Sequence, residues 1–87
     1  MNQFTEICRE DIINQYKEIG NDEITIDDVF VVWFVKSLGT AKALLSTKIK
    51  DGRYWEYTYT SDKDVIYVDR YVKEENKDIH VTGKLFV

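Results

Sequence analysis

Apolar residues recur at spacings of three and four along 3–19: Phe4, Ile7, Cys8, Ile12, Tyr16 and Ile19. Glu6, Arg9, Glu10, Gln15 and Lys17 take the opposite side. That period predicts a helix with one apolar stripe, stopped by Gly20-Asn21. Downstream the pattern changes to VFVVWFV, residues 29–35, which does not alternate at all. A strand at the surface of a small domain normally alternates apolar and polar residues, so something has to cover both sides of this one.

Residues 24–38 (ITIDDVFVVWFVKSL) send two signals. Thr25 followed three residues later by Asp28 has the spacing of a helix-capping box. The β-branched and aromatic residues of 29–35 favour a strand, and strand is the reading adopted, with helix as the alternative. Residues 41–49 then form a strand, Asp51-Gly52 has the composition of a type I′ hairpin turn, and RYWEYTYT alternates over 53–60. Ser61–Asp64 turn, VIYVDRYV continues over 65–72, KEENKD is solvated loop, and IHVTGKLFV has the pattern of a short edge strand. The expected fold is α+β: an N-terminal helix packed on one face of an antiparallel four-stranded β-meander, with 1–87 forming a single domain.

Two-residue loops at Gly39-Thr40, Asp51-Gly52 and Asp62-Lys63 would divide the strand residues between two faces. One collects Val29, Val31, Trp33, Val35, Leu44, Ser46, Trp55, Tyr57, Tyr59, Ile66 and Val68, and suits the helix. Trp33 and Trp55 are therefore expected in the core with Phe4 and Ile12. The other collects Phe30, Val32, Phe34, Ala43, Leu45, Thr47, Tyr54, Glu56, Thr58, Tyr67, Asp69 and Tyr71. Its apolar half needs a cover. A second copy of the chain, giving a homodimer, is the expectation; the tail after residue 78 is the alternative.

Eighty-seven residues with 44% hydrophobic and 32% charged content make a globular chain. About 0.05–0.15 kcal/mol per residue implies a total stability of roughly 4–13 kcal/mol. The seven-residue apolar run is far short of the ~20 residues that span a bilayer, and the N-terminus lacks the pattern of a secretion signal. One cysteine fits a reducing, cytoplasmic setting. The net charge of −4 makes nucleic acid an unfavourable partner, because that affinity comes from basic residues neutralising phosphates.

Candidate chemistry is sparse. His80 has no nucleophile beside it, Cys8 falls on the helix's apolar stripe, and Asp62-Lys63-Asp64 lacks the glycine and distal glutamate of a calcium loop. No catalytic residue, metal ligand or cofactor is expected, and the chain is not read as an enzyme. Glu56 and Asp69 fall opposite each other, where like charges destabilise, and Tyr54, Tyr67 and Tyr71 flank them. Tyrosine is enriched where proteins meet. The expected partner-binding set is Phe30, Phe34, Tyr54, Glu56, Tyr67, Asp69 and Tyr71.

DDVFVVWFVKSL, KALLST, DGRYWEYTY and IYVDRYVKEEN together resemble a family of short uncharacterised proteins from phages and prophages of Gram-positive bacteria. The resemblance covers roughly residues 24–76, through Trp33, Lys42–Leu45, Glu56 and Asp69. It implies a phage origin and a host-cytoplasmic setting, but no activity and no established site. The functional expectation is an accessory protein-interaction module that modulates a host or phage protein. The alternative is a single-stranded nucleic-acid binder that stacks bases on the sheet tyrosines.

Overall fold

The computed structural model describes residues 3–86. Helix α1 (Gln3–Glu18) is followed by a single 3₁₀ turn (Ile26–Asp28) and four strands: β1 (Val29–Ser37), β2 (Thr40–Thr47), β3 (Arg53–Thr60) and β4 (Val65–Val72). The strands form one antiparallel sheet in the order β1-β2-β3-β4, and the helix packs on one face. The α+β meander expected from the sequence is the fold observed.

Both signals in residues 24–38 are real. The Asp28 carboxylate accepts the Thr25 N–H at 2.9 Å and the Thr25 hydroxyl at 3.2 Å, so the capping pattern does close a turn. The turn lasts three residues and hands over to the strand at Val29. β-Branched and aromatic crowding wins as soon as the sheet is available. The C-terminal edge strand does not form, and every described residue from 73 onward is exposed.

The face assignment needs two corrections, both caused by register. Asp51-Gly52 is not a type I′ turn: Gly52 has φ of 72°, whereas Asp51 does not take the positive φ that both central residues of such a turn require. Residues 48–52 make a longer loop, held by the Ile49 N–H on Thr47 Oγ1 and the Arg53 N–H on Asp51 Oδ1. Ser46 therefore pairs with Tyr54 and Leu45 with Trp55, which turns all of β2 over. In β1, pairing runs Val31↔Leu45 and then Trp33↔Leu44, so Val32 is the extra residue of a β-bulge. Beyond a bulge the inward and outward positions exchange.

Consequently the helix covers Val29, Val31, Ala43, Leu45, Trp55 and Tyr57 of the sheet, with Cys8, Ile12 and Tyr16 of α1 between them. Ala41 and Ala43 on the central strand β2, and Thr5 and Cys8 on the helix, are small and buried; their short side chains let helix and strand approach closely. Trp55 is in this core at 1% exposure, edge-on to Tyr16 at 5.9 Å. Trp33 is not. It lies on the opposite face, 40% exposed, and Phe34 takes the inward position, its ring 6.0 Å from that of Phe4.

Candidate functional site

The face away from the helix reads as rows across the four strands. Phe30, Ser46, Tyr54 and Tyr71 form one row; Trp33, Leu44, Glu56 and Asp69 the next; Val35, Lys42, Thr58 and Tyr67 the third. Along β1 the face is apolar and half exposed, while along β3 and β4 it is tyrosine and carboxylate. Six of the seven expected partner-binding residues meet here: Phe30, Tyr54, Glu56, Tyr67, Asp69 and Tyr71. Phe34 does not, because the Val32 bulge rotates it to the helix side. Trp33 takes its place.

Glu56 and Asp69 are direct cross-strand partners. Their repulsion is relieved on one side only. The Lys42 ammonium stands 3.8 Å from Glu56 Oε2, and the Tyr71 hydroxyl donates to Glu56 Oε1 at 3.4 Å. The expected register set Leu44 of β2 on the helix face; turning β2 over brings Leu44, and with it Lys42, to the outer face. No cation lies within ion-pair distance of Asp69 among the described residues. The Glu56 charge, then partial burial, then Asp69 push the Tyr71 hydroxyl above its usual range, so this tyrosine stays a neutral donor at physiological pH.

A second polar cluster closes the helix side. Tyr57 OH donates to Asp11 Oδ2 at 2.8 Å, Gln15 Nε2 donates to the same oxygen at 2.8 Å, and Trp55 Nε1 donates to Gln15 Oε1 at 3.0 Å. Arg70 Nη1 adds a donor to Gln15 Oε1 at 3.3 Å. Buried Trp and Tyr rings need such partners for their polar ends. Burial first, and then the bond to Asp11, raise the Tyr57 hydroxyl well above its ordinary value. Gln15, expected on the side opposite the apolar stripe, instead meets the sheet with Asp11; the four-residue spacing of the two was the available signal for this seam. Its role is to hold the helix on the sheet.

Cys8 is fully buried, and burial with the nearby Asp11 charge pushes its thiol up to about 12, which makes it a packing residue. His80 is exposed, 3.8 Å from the Asp78 carboxylate. Among the described residues no cluster of His, Cys, Asp and Glu has the arrangement of a metal site, and no helix is long and apolar enough to cross a membrane. A model of a family of unknown function (DUF6275) matches residues 5–81. No curated protein and no solved structure gives a significant match.

Proposed function

The chain belongs to that family of unknown function, and we propose that it is a small protein-interaction module that offers the outer face of its sheet to another protein. One observation carries the reading: Phe30, Trp33, Val35, Tyr67 and Tyr71 are all exposed on a single face, beside the Glu56–Asp69 pair. Soluble monomers rarely leave contiguous apolar patches beyond a few hundred Å², and aromatic rings next to charges are the usual anchors of protein interfaces. The acidic half and the net charge of −4 favour a partner with apolar and basic groups. In this reading the protein is a phage or prophage accessory factor that modulates a host or phage protein in the host cytoplasm, and no residue has a catalytic role.

The same rings could stack bases, but stacking sheets surround the rings with phosphate-neutralising cations, and the centre of this face is acidic. The two readings separate in one experiment. Wild type and a Tyr67→Ala/Tyr71→Ala variant are used to capture proteins from host lysate, and both are titrated with labelled single-stranded oligonucleotides at low salt. The expected result is a protein recovered by wild type and lost with the variant, with no oligonucleotide binding. Recovery of the same proteins by both forms would overturn the proposal. So would salt-sensitive oligonucleotide binding that the variant abolishes.

A further inference from the structure

The apolar run of β1 is uncovered on both sides. Val32, Trp33 and Val35 on the outer side are 45%, 40% and 54% exposed, and Phe34 on the helix side is 40% exposed. A protein lying on one face could cover Trp33 or Phe34, but not both. A strand beside β1 would flank both sets, and that side of β1 has no strand. Edge strands that stay solvated are usually short, charged, bulged or interrupted by proline; the bulge of β1 at Val32 leaves Trp33–Ser37 in regular pairing. β1 is nine residues long, has no proline, and carries one charge, Lys36.

The same chain exposes a segment with the composition of a strand. Ile79 and Val81 alternate with His80 and Thr82, and Leu85 and Phe86 follow Gly83; Ile79 is 80% and Phe86 94% exposed. The whole molecule is correspondingly open. Its Cα radius of gyration is 15.7 Å, against about 12 Å for a compact chain of this length. Its surface is 6852 Å², against about 5,400 Å² for a folded monomer of its mass. The excess of about 1,500 Å² exceeds the ~800 Å² that each partner contributes to a standard interface.

We propose that residues 79–82 of one copy add as an antiparallel strand to the regular stretch Trp33–Ser37 of a second copy's β1, reciprocally, in a two-fold arm-exchanged homodimer. Gly83, with φ of 80°, then turns Leu85 and Phe86 toward the exposed rings of that strand. The chain cannot readily do this to itself. In a four-stranded meander β4 ends where β1 begins, so the chain's own arm would lie parallel to β1. Parallel additions need a crossover of about a dozen residues or more, and six separate Val72 from Ile79. In a second copy that constraint vanishes. The arrangement pairs the free edge of β1 and shares Trp33 and Val35 with the sheet face assigned above; that face also rests on Tyr67 and Tyr71 of β4, so the Tyr67→Ala/Tyr71→Ala variant tells the two apart.

Sedimentation velocity and backbone amide exchange on the full chain test the proposal. Wild type should sediment at twice the 10.3 kDa chain mass, with the amides of 79–82 protected. Val81→Pro, which removes a ladder donor in a segment the single chain leaves exposed, should sediment as a folded monomer with unprotected arm amides. Tyr67→Ala/Tyr71→Ala should remain a dimer. A wild-type monomer at high micromolar concentration would overturn the inference, whether its arm is protected or not. So would a dimer that Val81→Pro leaves intact.

Discussion

Replacing each tryptophan by alanine tests the sheet register directly. Trp55 is fully buried against Tyr16, and large-to-small changes of this kind cost about 3–5 kcal/mol. Its indole N–H bond to Gln15 is lost as well, but Arg70 still donates to the same oxygen, so the acceptor is not orphaned and no large further penalty follows. Against a total of roughly 4–13 kcal/mol, Trp55→Ala should leave a domain that is marginal or unfolded at 25 °C. Trp33 has about three-fifths of its surface covered. Full burial of a large apolar side chain is worth about 1.5–3 kcal/mol, so Trp33→Ala should cost about 1–2 kcal/mol. Urea unfolding followed by far-UV circular dichroism, at protein concentrations low enough to keep the chain monomeric, measures both. Equal losses, or a larger loss at Trp33, would mean that the Val32 bulge is misplaced and that Trp33 faces the helix.

Three further outcomes follow from the core and the face. Ala43→Leu, beneath the helix at a fully buried position, should cost about 1–3 kcal/mol through overpacking; an unchanged urea midpoint would show that helix and β2 do not touch there. Asp69→Asn should raise the midpoint slightly, because like charges directly opposite cost several tenths of a kcal/mol, and a clear destabilisation would contradict the pairing with Glu56. Stability should also fall at alkaline pH: folded Cys8 and Tyr57 both hold their protons more tightly than their ordinary values of 9.0 and 10.0. The unfolded chain therefore releases those protons first, so their contribution is complete below about pH 9 and declines as pH rises beyond it. Cys8→Ala should remove part of that decline, which urea midpoints between pH 8 and pH 11 will register.

The helix, the strands and the pairing of β3 with β4 were legible because each rests on a local signal. The 3.6-residue stripe of α1 has a clear end at Gly20, and the Ser61–Asp64 turn sets Glu56 opposite Asp69 as expected. The positions of Phe34, Trp33 and Lys42 were not legible. A bulge at Val32 leaves no trace in a run where every residue is apolar, since neither register places a polar group in the core. The Asp51-Gly52 pair mimics a tight turn, yet the surrounding loop is held by Thr47 and Asp51 side chains and by the Lys48 N–H on the Asp28 carbonyl. That last bond ties the loop to a segment twenty residues upstream, and no local reading of the chain contains it. Much of the outer face was identified all the same, because β3 and β4 kept their register and carry five of the seven expected residues.

The proposed role requires that the outer face of the sheet receive another protein. Site-specific photo-crosslinking reads this most directly, with benzoylphenylalanine in place of Tyr67 on that face or of Ile7, which is exposed on the helix. Irradiation in cell lysate should give a discrete protein adduct from position 67 and none from position 7. Adducts from position 7 alone, or the same adducts from both, would contradict the claim.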